Sequence, residues 1–384
     1  MCGITGFIDL SRQTGGDELK ETVERMAGTL QHRGPDGAGS WVDAETGLAL
    51  AHRRLSIVDL SPMGSQPMLS ADERYVITYN GEIYNFKSLS RELENLGHKF
   101  RGHSDTEVAL AAISQWGPEG AVKRFIGMFA FALWDRKEHI LYLFRDRIGK
   151  KPLYYSRFNN IFMFGSELKS LTAHPKFDKN LNRDALTLFL RHNYIPETHS
   201  IYKNVYKLAP GHFLALNLRD KYVAPEPTAY WSAFDAMTTG TSNPFTGPDN
   251  EAINELDLLL RDAVKIRMEA DVPLGAFLSG GIDSSLVVAL MQAQSARPVK
   301  TFSIGFHEEE YNEAQYAKKV AQHFGTEHTE LYIKPEEALA VIPNLPELYD
   351  EPFADVSQIP TFLVSKLARQ HVTVSLSGDG GDEL

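Results

Sequence analysis

Residues 276–285, AFLSGGIDSS, indicate how the second half of the chain folds. The apolar opening of this stretch is typical of a buried strand, and the LVVALMQAQ that follows is typical of a helix. The glycine-rich turn between them brings successive backbone N–H groups to a helix N-terminus, where they can hold an anion. For the SGG triplet considered by itself, the alternative interpretation is a turn that binds no ligand. The GxxxxGK[ST] and GxGxxG patterns are absent, which argues against a kinase-like or dinucleotide-binding loop.

Helices and strands alternate on both sides of this stretch. Helices are predicted at 251–268, 284–294 and 311–325, and strands at 272–279, 300–306 and 327–333. Such alternation is typical of an α/β doubly wound parallel sheet. A further strand runs into a second glycine loop, SLSGDGGDEL at 375–384, where the sequence ends. We therefore expect this sheet to be truncated.

The first half of the chain predicts a layered α+β unit instead. Helical spacing indicates helices at 18–30 and at 104–116, the second with Ser104 and Glu107 in a capping-box arrangement. Asn80-Gly81 between β-branched and aromatic residues predicts a hairpin turn. Strand-like segments at 127–135, 139–146, 152–156 and 161–166 predict a meander.

Composition places the boundary between the two halves and limits the class of protein. Residues 225–250 are rich in Pro, Gly, Ser and Thr, so we predict domains at 1–215 and 251–384 with a linker at 216–250. A net charge of -11 argues against a nucleic-acid partner. The sequence lacks a membrane-length apolar run and a signal peptide, and its single cysteine cannot form an internal disulfide. These features predict a cytoplasmic protein without a membrane partner.

The single cysteine, Cys2, directly follows the initiator methionine. Removal of Met1 would place a thiol and an α-amine on one residue. A free α-amine has a pKa of about 7.7–8.0, so a fraction of it is neutral near pH 7 and can take the thiol proton without a histidine. If position 2 is considered by itself, the alternative interpretation is that Cys2 has no catalytic role.

Five segments together carry a resemblance to a known family. MCGITGF, QHRGPDG, AHRRLSIVDL, NGEIYN and GHSDTEV resemble, in order and spacing, the class II glutamine amidotransferase domain of the N-terminal-nucleophile family. The resemblance implies an αββα sandwich with Cys2 as the catalytic nucleophile. It also implies that Arg54 binds the glutamine α-carboxylate, for which a guanidinium is suited. The implied glutamine-binding set is Arg54, Leu55, Ser56, Ile57, Val58, Asn80, Gly81, Glu82 and Asp105.

Within this set the resemblance assigns distinct roles. Asn80 and Gly81 would form the oxyanion hole as catalytic residues, although the same pair predicts a turn. Glu82 and Asp105 match acidic residues near the substrate amino group. Asp105 also has a structural explanation, because an acid in the first turn of a helix is stabilised by the helix dipole. His32 is interpreted as structural and not as a catalytic base.

The SGGxDSS loop resembles the pyrophosphate loop of ATP pyrophosphatases, and the two halves together resemble glutamine-hydrolysing asparagine synthetases. The second domain is then expected to be adenine-nucleotide hydrolase-like and to use ATP and Mg²⁺. The implied ATP-binding residues are Leu278, Ser279, Gly280, Gly281, Asp283, Ser284, Ile304, Ser377 and Gly378. Asp283 and Asp382 would hold Mg²⁺. Asp379, where the family often has Glu, would lie near the acyl-adenylate.

The resemblance implies that glutamine, aspartate and ATP give asparagine, glutamate, AMP and pyrophosphate, and it is compatible with a homodimer. Three alternatives stay open. The acceptor could be another carboxylate, such as one in a surface-polysaccharide or secondary-metabolite pathway. A fragment with an incomplete second domain would keep glutaminase activity only. A non-catalytic descendant of the enzyme is disfavoured, because Cys2, Arg54, Asn80 and the SGGIDSS loop are all intact.

Overall fold

A computed structural model describes residues 1–220, 225–307 and 312–381. The chain forms two compact units. The first contains Met1–Pro244 and also the short segment Asp350–Phe353; the second contains Phe245–Tyr349 and the chain from Ala354 onward.

Two antiparallel sheets form the centre of the first unit. One has the order β10-β8-β9-β1-β3-β2 and contains β1 (Gly3–Asp9), β2 (Gly37–Asp43), β3 (Leu48–Arg54), β8 (Tyr154–Phe158), β9 (Ile161–Gly165) and β10 (Val205–Lys207). The other has the order β12-β11-β7-β6-β5-β4 and contains β4 (Met68–Leu69), β5 (Tyr75–Ile83), β6 (Gly127–Asp135), β7 (Ile140–Arg145), β11 (His212–Asn217) and β12 (Thr228–Ala229).

Helices cover the outer faces of these sheets. The helices on the first sheet are α1 (Gly16–Gly28), α4 (Leu168–Thr172) and α5 (Arg183–His192); those on the second are α2 (Phe86–Asn95) and α3 (Asp105–Arg124). Between the sheets, Leu50 of the first packs in one buried cluster with Trp134 and Leu143 of the second. Apolar side chains on both faces of each sheet explain this layering. The expected αββα sandwich is confirmed.

The predicted helix at 104–116 is α3, and its start is only half of a capping box. The Ser104 hydroxyl accepts a hydrogen bond from Glu107 N at 3.3 Å. The Glu107 carboxylate turns the other way and accepts from Arg101 N and Gly102 N, both at 2.9 Å. The helix is kinked at Gly117, where φ is +74°.

The predicted hairpin turn at Asn80-Gly81 is wrong, because both residues lie inside β5. Asn80 faces Ala130 and Gly81 faces Phe129 on β6. A Cβ on Gly81 would lie 2.3 Å from the carbonyl oxygen of Met128, so the glycine permits close approach of two strands and not a reversal. The predicted meander is also wrong in part, since β6 and β7 belong to one sheet and β8 and β9 to the other.

The segment expected to be loop-like, 225–250, contains a helix, α6 (Ala233–Ser242). The Ser232 hydroxyl accepts from Asp235 N at 3.2 Å at its start, and threonine and serine hydroxyls along it donate to carbonyls four residues earlier. Local capping therefore overrides the composition. The division at 215 and 250 stays a prediction.

The second unit has a parallel sheet in the order β15-β14-β13-β16. Its elements are α7 (Asp249–Arg267), β13 (Leu274–Phe277), α8 (Ile282–Gln294), β14 (Lys300–Phe306), α9 (Ala314–Phe324), β15 (Glu327–Ile333), α10 (Pro335–Leu339), α11 (Leu345–Leu348), α12 (Gln358–Arg369) and β16 (Val374–Leu376). Helices α7, α8 and α9 pack in one apolar cluster with β13, and α12 packs with Phe302 of β14 in another. Helices on both faces confirm the predicted doubly wound sheet.

Within the described ranges, no helix is both long and apolar enough to cross a bilayer.

Candidate active sites

The first site is built around the residue that precedes β1. The Cys2 Sγ lies 3.4 Å from Leu55 N, which donates to it, and 3.6 Å from the carbonyl oxygen of Leu55. Burial raises the pKa of the Cys2 thiol, so it needs a base to become a nucleophile. Met1 is present, and burial lowers the pKa of its α-amino group to about 5. At pH 7 the Met1 amine is therefore neutral.

Arg33 holds the backbone of Cys2 in place. Its Nε donates to the Cys2 carbonyl oxygen at 2.9 Å, and its Nη1 donates to Glu167 Oε1 at 2.6 Å. Burial alone would raise the pKa of Glu167, but His32 and Arg33 beside it hold that pKa at about 2. His32 lies 3.0 Å from Glu167 Oε2 and is more than half exposed. Arg33 lies in the QHRGPDG segment but was not among the residues expected at the site.

Asn80 has the least satisfied side chain of the candidate residues. It is 1% exposed, and within the described ranges neither its Oδ1 nor its Nδ2 has a hydrogen-bond partner. Buried amides are ordinarily paired, since an unpaired one costs about 1–3 kcal/mol. An amide kept in this state is a candidate ligand-binding group.

Glu82 and Asp105 form an acidic pair next to Asn80. Asp105 Oδ2 accepts from the Tyr79 hydroxyl at 2.8 Å and from Ile83 N at 2.9 Å. Burial, and secondly the charge of Asp105, raise the pKa of Glu82 to about 7. Burial also raises the pKa of Asp105. The two predicted acids therefore lie close to each other, with Asp105 buried and Glu82 half-buried.

Lys151 also faces this site and was missed by the sequence analysis. It is 4% exposed, and its Nζ lies 2.8 Å from the Met1 sulfur. Burial lowers the pKa of Lys151 to about 8, against the charge of Glu82, which raises it. The adjacent Lys150 is exposed. The sequence KK does not show which of the two lysines is buried. Only the fold distinguishes them.

Arg54 ends β3 and is engaged with its own loop. Its Nη1 donates to the carbonyl oxygen of Ser61 at 2.9 Å, and its Nη2 donates to that of Asp59. The loop that follows contains the half-buried predicted residues Leu55, Ser56, Ile57 and Val58. Asp59 is buried and holds this loop by accepting from Ser61 N at 3.1 Å and His103 N at 3.0 Å. The guanidinium is thus fixed in orientation at the base of the loop.

The second site is a cavity of about 790 Å³ in the second unit, at the carboxyl ends of β13, β14 and β16. Among the predicted residues, its lining includes Leu278, Ser279, Gly281, Asp283, Ser284, Ile304, Ser377, Gly378 and Asp379. The cavity is within the size range of nucleotide and cofactor sites.

Hydrogen bonds shape the first glycine loop into a tight turn. The Ser284 hydroxyl accepts from Ser279 N at 3.2 Å, and Gly281 N donates to the Ser279 hydroxyl at 3.2 Å. Gly280 has φ of +87°, and a Cβ there would lie 2.7 Å from Ala317 N. Gly280 therefore sets the path of the backbone and is not itself part of the lining.

The two glycine loops meet at Asp283. A Cβ on Gly378 would lie 2.6 Å from Ser284 N, and a Cβ on Gly381 would lie 2.7 Å from the Asp283 carboxylate. Only glycines allow this close approach. The Asp283 carboxylate lies where the loops meet, and carboxylate oxygens are the ligands that Mg²⁺ prefers. The described residues contain no ready-made group of three metal-binding side chains. Asp382, the second predicted ligand, lies outside the described residues.

Comparison with known families agrees with this arrangement. Residues 1–231 match the family model described as glutamine amidotransferase domain, and residues 255–384 match the one described as asparagine synthase. A putative glutamine-hydrolysing asparagine synthetase of Methanocaldococcus jannaschii is 40% identical over all of this chain and 75% of its own length. The chain belongs to the glutamine-hydrolysing asparagine synthetase family.

Other members of the asparagine synthetase family are longer. Asparagine synthetase 1 of Bacillus subtilis is 37% identical over all of this chain and 58% of its own length. A putative asparagine synthetase of Mycobacterium tuberculosis is 35% identical, and the chain covers 60% of it. The chain thus spans about three fifths of these two relatives. Among solved structures, a glutamine phosphoribosylpyrophosphate amidotransferase of Bacillus subtilis aligns over 88% of this chain and 70% of its own, at 17% identity and a TM-score of 0.43.

Proposed function

We propose that the first unit hydrolyses glutamine with Cys2 as the nucleophile once Met1 is removed. The observation that carries this proposal is the Asn80 carboxamide, buried without a partner among the described residues, in the unit that also contains Cys2, Glu82 and Asp105. A substrate amide would supply the hydrogen-bond partners that the Asn80 side chain lacks. The acidic pair would receive the substrate α-ammonium group, and Arg54 would bind its α-carboxylate.

In the proposed reaction the α-amine of Cys2 accepts the thiol proton, and the thiolate attacks the side-chain carbonyl carbon of glutamine. Asn80 Nδ2 and the Gly81 backbone N–H donate to the oxyanion that forms. The C–N bond then breaks, the amine returns the proton to the leaving nitrogen, and ammonia departs. Water hydrolyses the thioester to glutamate and frees Cys2.

Replacement of Asn80 by alanine tests the oxyanion role. We expect Asn80→Ala to lower kcat for glutamine hydrolysis by about 10²–10³-fold with little change in KM, because the lost donor acts on charge present only in the transition state. Asn85→Ala is the matched control, since that amide is already bonded to Arg124 O and Ile126 N. Equal losses in the two variants would contradict the role of Asn80.

Lys151 gives a prediction for the pH dependence. Burial has the largest effect on the pKa of the Met1 α-amine and lowers it; the positive charges of Lys151 and Arg33 also lower it, whereas Cys2 and Glu82 raise it. We expect this ordering to persist once the amine stands on Cys2. Lys151→Met removes a cation that destabilises the ammonium form, so the acid limb of the kcat/KM profile should move to higher pH.

The controls for this shift are Lys151→Arg, which keeps the charge, and Lys150→Met, which removes an exposed one. In both variants the acid limb of the kcat/KM profile for glutamate formation should stay at the wild-type pH. A limb that stays in place in Lys151→Met would show that Lys151 does not act on the base.

We propose that the second unit binds ATP in the 790 Å³ cavity and activates a carboxylate by adenylation. Backbone N–H groups of the SGG loop and the N-terminus of α8 would receive the phosphates. Asp283 and Asp382 would hold Mg²⁺, which neutralises charge on the pyrophosphate when bound. The acceptor we favour is aspartate, so that ammonia from the first unit would give asparagine, with AMP and pyrophosphate as the other products.

A different carboxylate acceptor remains the second candidate. Asp379 supports it, because this position in the cavity has one methylene less than the Glu that the family often carries. Pyrophosphate release measured with aspartate and with other carboxylates separates the two candidates. Release with another carboxylate but not with aspartate would overturn our choice.

A further inference from the structure

The segment Asp350–Phe353 belongs to the first compact unit, although the chain on both sides of it belongs to the second. It also falls within the residues that match the asparagine synthase family model. By sequence, therefore, it would be assigned to the second half of the chain. Its contacts assign it to the unit that contains Cys2.

Two acidic side chains fix this segment. Asp350 Oδ2 accepts from Lys169 N at 3.1 Å, and Asp350 Oδ1 lies 3.2 Å from Lys169 Nζ. Glu351 accepts from Ile201 N at 3.2 Å and forms an ion pair with Lys207. The side chains of Asp350 and Glu351 are 9% and 12% exposed, so neither pair is an ordinary surface salt bridge.

A continuous chain of charged contacts leads from Asp350 to the nucleophile. Lys169 Nζ lies 2.9 Å from Glu167 Oε2, and Glu167 Oε1 lies 2.6 Å from Arg33 Nη1. Arg33 Nε in turn donates to the Cys2 carbonyl oxygen at 2.9 Å. The side chains in this path are 8–23% exposed, and water screens such contacts less than surface ones.

We propose that Asp350 is a positioning residue for glutamine hydrolysis. It orients Lys169, which together with Arg33 holds Glu167, and Arg33 fixes the backbone of Cys2. Loss of the Asp350 charge leaves Lys169 with one acceptor fewer and lets it draw Glu167 away from Arg33. The Cys2 carbonyl then loses a fixed donor, and the thiol loses a defined orientation toward the substrate. This inference rests on the proposed glutaminase function.

The test is Asp350→Asn in the full chain, with kcat counted per Cys2 that reacts with an electrophilic glutamine analogue. We expect kcat per reactive Cys2 to fall about ten-fold with KM and the pH profile unchanged, since a misplaced nucleophile slows the chemical step without altering substrate contacts. Asp350→Glu keeps the charge and should recover part of the rate. Lys169→Met should lower kcat similarly, and the double variant should add little further loss.

Asp355→Asn is the matched control, because this nearby carboxylate bonds only Ser357 among the contacts the structure gives it. It should retain wild-type kcat. A wild-type kcat in Asp350→Asn, or fully additive losses in the double variant, would overturn the positioning role. If the unmodified chain hydrolyses no glutamine, the proposed function fails first. Dividing the rate by the amount of reactive Cys2 distinguishes a folded site with slow chemistry from a loss of folded protein.

Discussion

Cys2→Ala is expected to abolish glutamine hydrolysis, with a loss of about 10⁴-fold or more in the rate of glutamate formation. The reason is that the substitution removes the only thiol of the chain while leaving Asn80, Glu82 and Asp105 in place. Removal of a covalent nucleophile leaves only what binding and the oxyanion donors contribute. The measurement is glutamate release at saturating glutamine.

ATP binding to the second unit serves as the control for Cys2→Ala. It should be unchanged, because no residue of the cavity at the SGG loop is altered. Substantial glutamate release by the alanine variant would assign the nucleophile elsewhere. Since burial raises the pKa of the thiol, Cys2→Ser should also be poorly active: a hydroxyl is harder to deprotonate than a thiol.

The second large effect is expected at the glycine loop. Gly280→Ala should reduce ATP affinity at least about 100-fold, because its Cβ would lie 2.7 Å from both Ala317 N and the Tyr316 Cβ, at a φ of +87°. The loop must move to relieve this contact, and the backbone N–H groups then lose their alignment. Equilibrium binding of ATP with Mg²⁺ measures the change.

Gly325→Ala is the matched control for this variant. Gly325 also has positive φ, +68°, but a Cβ there meets nothing within 4 Å. Both variants therefore carry a similar backbone strain, and only Gly280→Ala disturbs the loop. Comparable loss of affinity in the two would show that strain, and not the shape of the phosphate loop, accounts for the effect.

Patterns that extend over many residues predicted the fold well. The alternation of helices and strands after residue 250 predicted the parallel sheet, because each element has its own periodicity. The layers of the first unit were expected from the resemblance carried by five separate segments. Single local signals were less reliable. Asn80-Gly81 suits a turn equally well, and only pairing with β6 shows that it is part of a strand.

The candidate site was predicted where its residues lie within motifs, and missed where long-range packing decides. Cys2, Asn80 and the glycine loops belong to such motifs. Lys151 faces the site because the fold brings it to the N-terminus, 150 positions away in sequence. The contact of Asp350 with Lys169 joins residues 181 positions apart. No local pattern encodes such pairs, since each residue alone is typical of a solvated surface.

Intact-protein mass spectrometry shows directly whether Cys2 becomes an N-terminal nucleophile. The chain is incubated with a glutamine analogue that carries a diazoketone in place of the amide, and the labelled peptide is then identified. We predict a chain without Met1 that carries one analogue, bound to Cys2. An active chain that retains Met1, or a label on any other residue, would show that Cys2 is not an N-terminal nucleophile.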